Sequence, residues 1–379
     1  MRLIVARKPF AAALDAARGA IEARNTVPII ATVLVAAAGG RMTLTSTDLD
    51  LTIRSSLALA SASDAGPAAF CVAATAISDF VKRLPDNAEI GLAPSATNVT
   101  ITSGRARLVL PVLPAGDFPN MTDGAYDAEF MVDSAEFKAL LADTRVAHST
   151  EETRYYLNGV YLHARKFDEV MRLVAVAADG HRMVRRMLEA PAGSETMPGI
   201  IVPTKSVDRL IRMMANHDTA TVSVSETRIR VVAGDETLTT KLIDGTFPDY
   251  QRVIPTGNDK IAILPRAQTI AAAERVAVAI PAKEDRGIRF TFADGMARLE
   301  IRTGDGIEAS DEVTVSEARD LPDDFAIRFN GAYVAGLLGV FPGDRVEWRM
   351  AEAGAPLLIL PSGAGDAADR LAILMPMLV

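Results

Sequence analysis

Apolar side chains recur along this chain in two rhythms, one of period near 3.6 and one of period two. Residues 72–84 read VAATAISDFVKRL, and Ile77, Phe80, Val81 and Leu84 fall at i, i+3, i+4 and i+7. That is the buried stripe of an amphipathic helix. The same stripe returns at 202–214 with Val207, Leu210, Ile211 and Met214, and at 329–341 with Val334, Leu337, Leu338 and Phe341. The copies are offset by 130 and 127 residues. A second helix repeats on a similar period through Ala17-Arg18-Gly19-Ala20, Thr144-Arg145-Val146-Ala147 and Glu274-Arg275-Val276-Ala277. Phe10 and Phe137 correspond in its first two copies, and Ala267 stands in the third, the weakest match.

Between the helices the rhythm drops to two. Residues 41–45 and 51–54 alternate apolar and polar, and so do 220–224, 228–232 and 238–242. Half-buried antiparallel strands read this way. Asp86-Asn87, Ala233-Gly234-Asp235 and Pro342-Gly343-Asp344 supply turns. Each copy therefore reads as strand, helix, three strands, and then the same again. The predicted class is α+β, with two helices covering one side of antiparallel sheets in each of three tandem units. The joins fall near Gly124-Ala125-Tyr126 and Pro255-Thr256-Gly257-Asn258, giving units 1–125, 126–256 and 257–379. Neither join resembles a long flexible linker.

Composition sharpens this picture. Hydrophobic residues make up 49% and aromatics only 5%, so Ala, Val, Leu and Ile must do most of the packing. Cys71 is the single cysteine, which rules out an intrachain disulfide and a cysteine-based zinc site and fits a reducing compartment. No stretch approaches the roughly 20 apolar residues of a membrane span, and the N-terminus has no long apolar segment. A soluble, cytoplasmic protein without membrane contact is expected.

The formal net charge of −8 argues by itself against nucleic-acid binding. Its distribution argues otherwise. The helical windows 8–24, 74–84, 136–147, 204–215, 266–280 and 330–340 hold twelve Lys and Arg against seven Asp and Glu. That surplus of +5 leaves −13 for the rest of the chain, and the sixth window carries no charge. Any one such helix reads as an ordinary solvated face. Five together suggest helices turned toward a polyanion and sheets turned toward solvent. Signatures of catalysis are missing: there is no GxxxxGK[ST] loop and no HExxH, and His148, His163, His181 and His217 lack metal-ligand spacing. No catalytic residue, metal or cofactor is expected.

Several runs stand in a recognisable order: Leu113-Pro114 through Asp117-Phe118-Pro119, Arg154-Tyr155-Tyr156-Leu157-Asn158-Gly159, Asp179-Gly180-His181-Arg182, Phe247-Pro248-Asp249-Tyr250 with Arg252-Val253, and Met375-Pro376-Met377. Taken singly these are a turn, half-buried strand residues or a hydrophobic C-terminal strand. Jointly, from Met1 to the C-terminus, they resemble the bacterial replicative sliding clamp, the beta subunit of the DNA polymerase III holoenzyme. The resemblance implies three DNA-clamp domains forming half of a closed ring, a head-to-tail homodimer. Such a ring tethers the replicative DNA polymerase to double-stranded DNA without sequence preference, and so confers processivity.

The resemblance also implies sites. A hydrophobic cleft for short peptides of the polymerase, the clamp loader and other clamp-binding proteins falls on Leu157, Gly180, His181, Arg182, Met183, Pro248, Arg252, Val253, Asn330, Tyr333, Met375, Pro376 and Met377. DNA contacts fall on Arg24, Tyr155 and Tyr156, on loops at one face of the ring. The subunit junction falls on Leu108 and Leu110 of an edge strand against Ala279 and Ile280. Arg105 and Arg107 beside that strand are set to pair with Asp305, Glu308, Asp311 or Glu312. Departures touch the cleft: Ala178 stands where Thr is usual, Asp285 replaces a common aromatic, Leu378 replaces a frequent Arg, and two extra residues fall between His148 and Arg154. They leave open a divergent or secondary clamp acting as an interaction scaffold with altered partner preference.

Overall fold

An apolar stripe every third or fourth residue has to be covered, and the helices of the computed structural model bury the stripes that the sequence marks. The model describes residues 2–21, 27–63, 67–119, 124–279, 287–303, 306–365 and 368–377. Among these stand six helices: α1 (Arg7–Arg18), α2 (Ala74–Lys82), α3 (Ser134–Arg145), α4 (Thr204–Met214), α5 (Arg266–Ala277) and α6 (Gly331–Leu338). Each is preceded by a strand and followed by three main antiparallel ones, with short extra strands at Ser61–Ser63 and Glu317–Arg319.

Ile77 and Val81, Val207, Leu210 and Met214, and Val334, Leu337, Leu338 and Phe341 are all buried; Phe80, Leu84 and Ile211 are half-buried. The other helix keeps its register in the first two copies, with Phe10 and Phe137 both buried, and needs a correction only in the third. In α1 the buried face is Phe10, Ala13, Leu14 and Ala17, and in α5 it is Thr269, Ala272, Ala273 and Val276. Thr269, not Ala267, is therefore the equivalent of Phe10, and Arg275 sits two positions early relative to Arg18. The α5 face is built from small side chains, so it offers little hydrophobic contrast to align.

The chain forms two compact units. One comprises Met1–Lys138, Ala192–Pro198 and Asp208–Leu242, the other Ala139–Pro191, Gly199–Val207 and Ile243–Val379. The first holds a 13-stranded antiparallel sheet, in which Glu236–Lys241 pairs with Leu51–Ala58 and so continues the first repeat's strands. The second holds a nine-stranded sheet, in which Arg182–Glu189 pairs with Arg370–Leu374, and a separate four-stranded sheet. The division falls inside the middle repeat because its strands join a different neighbour in each unit. Buried backbone N–H and C=O groups must be paired, and these shared ladders pair them.

In the first unit Phe10, Leu14, Ile77, Val81, Leu92 and Ile101 pack into one core. Cys71 is buried beside it, and burial pushes its thiol up to about 11. In the second unit the only tryptophan, Trp348, is fully buried against Phe290 and Phe329, with ring centroids at 5.2 and 5.9 Å.

One buried charge cluster joins α3 to two strands of the second unit. Arg186 and Arg370 stand directly opposite each other across the ladder. Like charges in that register repel. Asp143 lies between them, 2.6 Å from Arg186 and 3.0 Å from Arg370. Removing the carboxylate that bridges them leaves two guanidiniums largely out of water without their direct ion-pair partner. Asp143→Ala is expected to lower unfolding free energy by about 3–5 kcal/mol. Urea denaturation reads this directly, and a loss under about 1 kcal/mol would show the cluster to be dispensable.

Candidate functional site

The second unit carries an apolar cavity of about 630 Å³. Four short segments build most of it. The first is the 3-10 turn Glu152–Leu157. Its Arg154 is clamped by Glu151, with Nε and Nη2 donating to the two carboxylate oxygens at 2.8 and 2.9 Å. Glu151 thereby anchors Arg154 at the start of the turn.

The second segment is the turn at Asp179. Its Oδ1 accepts from the backbone N–H of His181 and of Arg182, both at 2.9 Å, while Oδ2 accepts from Arg182 Nε at 2.9 Å. An aspartate folding the chain over its own side chain is a local turn signal. Gly180 takes φ +90°, and a Cβ there would come within 2.5 Å of Arg154 Nη1. Only glycine meets both demands. Arg182 then lies with its guanidinium carbon 4.1 Å from the centroid of the Tyr333 ring, a cation–π contact.

The third segment, 247–255, contains a short 3-10 turn whose entry is capped by Asp249. The fourth is the end of the strand Arg370–Leu374, where Met375 N–H donates to His181 C=O at 2.8 Å. Leu157, Met183, Phe247, Tyr250 and Ile373 form the buried floor. Val253 and Met375 stand at the mouth, 54% and 40% exposed.

Of the residues that the resemblance assigns to a cleft, Leu157, Gly180, His181, Arg182, Met183, Pro248, Arg252, Val253 and Met375 meet on this cavity. Asn330, Tyr333, Pro376 and Met377 are not on its wall. Asn330 caps α6 instead, accepting from Ala332 N and Tyr333 N at 3.0 and 3.4 Å. It thereby fixes the helix that presents Tyr333 to Arg182. Met377 lines a smaller cavity with Arg289 and Arg328.

Sequence reasoning passed over Arg154, Phe247, Asp249, Tyr250, Ile254, Pro255, Pro356 and Ile373 as wall residues. A signal existed for 247–250, since that run was one of the motifs. None existed for Pro356, which reaches the wall from a distant loop. Ala178 is also on the wall.

The tyrosine pair divides. Both rings sit on the 3-10 turn rather than on a loop, in edge contact at 5.8 Å. Tyr155 is 53% exposed, whereas Tyr156 is half-buried on the cavity wall. Arg24, Asp285 and Leu378 lie outside the described residues, and so do Ile280 and Asp305. Leu108 and Leu110 half-bury against the first unit's core from the strand Ala106–Pro114. That strand is laddered to Asn98–Ser103 through residues 106–111 and to Phe70–Val72 only at 112–114. Among the described residues, 106–111 thus keep one open edge. Arg105 and Arg107 are exposed beside it.

The strand Glu308–Thr314 is an edge of the four-stranded sheet, and Ala279 is half-buried just beyond α5. Its acids have partners already: Asp311 with Arg275 at 2.6 Å, Glu308 with Arg302 at 2.7 Å, and Glu312 with Arg298 at 4.0 Å. The helix surplus is likewise partly neutralised, by Arg18–Asp79 at 3.2 Å and Lys82–Asp15 at 2.7 Å between α1 and α2.

Behind the cavity floor Phe247 stacks on Tyr161 at 4.9 Å, Tyr161 stacks on His163 at 4.7 Å, and His163 Nε2 lies 3.2 Å from Tyr250 Oη. Burial pushes the His163 imidazole down to about 4 and the Tyr161 and Tyr250 phenols up. The imidazole is therefore neutral in the folded protein until acid pH. From about pH 6.5 down to about 4 the unfolded chain binds this proton more readily, so stability falls as pH falls through that window. Above it the contribution is complete. His163→Phe is expected to flatten the pH profile of the unfolding free energy, read by urea denaturation, by about 3 kcal/mol between those limits, and an unchanged profile would contradict it.

Among the described residues no helix is long and apolar enough to cross a membrane. Comparison with known proteins gives a consistent result along the chain. Residues 1–122, 131–249 and 251–377 match the family models for the N-terminal, central and C-terminal domains of the DNA polymerase III beta subunit. A beta sliding clamp of Caulobacter vibrioides is 37% identical over 363 residues, covering 95% of this chain and 96% of the relative. That of Escherichia coli K12 is 31% identical, with both chains covered completely. Among solved structures, a sliding clamp of Bartonella birtlesii bound to griselimycin superposes with a TM-score of 0.93 at 38% identity, both chains fully covered.

Proposed function

The chain belongs to the family of DNA polymerase III beta subunits, three tandem clamp domains functioning as a DNA sliding clamp, and from that premise we propose how it works. Two copies close head to tail into a ring around duplex DNA in the cytoplasm, with domains 1–125, 126–256 and 257–379 in each. The observation that carries this reading is the open edge of residues 106–111, flanked by Arg105 and Arg107. An unpaired row of backbone donors and acceptors is a template for a strand of another chain. The edge strand Glu308–Thr314, with Glu308, Asp311 and Glu312, is the matching partner in sign. Its acids would exchange exposed intrachain pairs worth about 0–1 kcal/mol for new ones across the junction. Ala279 and Ile280 complete the contact beside Leu108 and Leu110.

Within such a ring retention comes from topology, so weak, sequence-independent phosphate contacts suffice and sliding is not impeded. The helices supply those contacts, with Arg24 and the exposed Tyr155 at the ring's face. Tyr156 serves the cleft instead. The cleft takes a short apolar peptide from the replicative polymerase, the clamp loader or another partner, with Met183 and Met375 repacking around different side chains. The protein performs no chemical step of its own. A second reading, a secondary clamp with altered partner preference, is favoured by Ala178, which puts a methyl on the cleft wall where the family usually has a hydroxyl.

Loaded by a clamp loader and ATP onto nicked circular DNA, the protein is expected to stay bound at high salt and to leave when the circle is cut. Retention that follows salt alone, whatever the topology, would sink the ring. Leu110→Asp is expected to bury a charge in the junction and yield monomers by light scattering. A dimer mass unchanged by that substitution would place the junction elsewhere.

A further inference from the structure

The four-stranded sheet of the second unit buries Ile288, Phe290, Leu299 and Phe329 on one face. Its other face is polar. Arg328, Arg289, Glu300 and Ser310 stand there side by side in one cross-strand row. A groove of about 530 Å³ runs over this face, lined by Arg289, Arg298, Arg302 and Arg328 together with Glu300 and Glu308. Gly287 is part of its wall, and a Cβ at that position would lie 2.3 Å from Arg328 Nε. The guanidinium of Arg328 lies in space that only glycine leaves open.

The charges on this face are unequally satisfied. Arg298 lies 3.1 Å from Glu300, and Arg302 lies 2.7 Å from Glu308. Arg289 is exposed, and among the described residues no carboxylate comes within ion-pair distance of it. The same Arg289 and Arg328 also line a cavity of about 260 Å³ that reaches Met377. Met377 N–H donates to Arg328 C=O at 2.8 Å. Two residues back, about 7 Å of extended chain, Met375 stands at the mouth of the apolar cleft.

We propose that this arginine face holds an acidic stretch of a partner protein, adjoining the apolar segment seated in the cleft; the proposal rests on the cleft reading given above. The guanidinium of Arg289 offers a planar fork of donors that fits a carboxylate on two bonds. Glu300 and Glu308 share the groove with the arginines, so a continuous row of phosphates would meet carboxylates there. A peptide avoids this conflict by placing its acids at chosen residues and turning backbone N–H groups toward the two glutamates. Charge pattern and continuity with the cleft thus favour an acidic peptide over duplex DNA.

The test is fluorescence anisotropy on the intact protein with a short apolar peptide from the replicative polymerase. The peptide is used plain, extended by four glutamates at either end, or extended by four lysines. At low salt a glutamate extension at one end is expected to tighten binding about fivefold, and the gain shrinks as salt rises. In Arg289→Ala that gain disappears while the plain peptide binds as before. No gain, a gain that survives in Arg289→Ala, or an equal gain from lysines overturns the proposal. So does displacement of the glutamate tail by a short duplex of equal charge. Failure of the plain peptide to bind the unsubstituted protein would count against the cleft reading instead. The face is then judged by amide chemical shifts of residues 287–302 on adding a glutamate-rich peptide. Shifts that vanish in Arg289→Ala sustain the proposal, and their absence overturns it.

Discussion

The backbone ladder is the interaction on which the rest of this molecule depends. Strand Glu236–Lys241 is laddered to Leu51–Ala58 in one unit, and Arg182–Glu189 to Arg370–Leu374 in the other. Each ladder satisfies buried N–H and C=O groups that would otherwise cost free energy without return. Each also fixes side chains that matter elsewhere. The register of Arg182–Glu189 on Arg370–Leu374 sets Arg186 against Arg370 and creates the place that Asp143 fills. The same register brings Met375 to the carbonyl of His181, closing one side of the apolar cavity. The apolar cavity is in this sense a by-product of sheet continuity.

Periodicity made much of this legible in advance. Helices with large apolar faces, such as Ile77 to Leu84 or Val207 to Met214, announce themselves because burial demands that spacing. The helix with Thr269, Ala272, Ala273 and Val276 does not, and its buried face lies two residues from the register that the sequence suggests. Long-range assembly is harder to read. Nothing local to Pro356 says that it reaches the cavity wall, and nothing in Tyr155-Tyr156 says that one ring faces outward and the other inward. Such outcomes are decided by tertiary packing. The turn at Asp179 is the opposite case, since its hydrogen bonds close within four residues and the motif carries its own geometry.

Charge behaves in the same layered way. A net charge of −8 and a basic surplus on helical windows coexist in one chain. Ion pairs such as Arg18–Asp79 and Lys82–Asp15 hold part of that surplus locally. What is left is modest, and modest attraction suits a protein that has to move along its polyanion. Tight binding would defeat movement, because each phosphate contact made must be broken at the next step.

Cys71 has a practical consequence. A thiol buried in a sheet and shifted to about 11 is almost never a thiolate at neutral pH, and the thiolate is the species that maleimides and disulfide reagents attack. With no other sulfhydryl in the sequence, the natural chain is a silent background for labelling chemistry. Single cysteines introduced at chosen surface positions would report distances or form crosslinks without first deleting a native one.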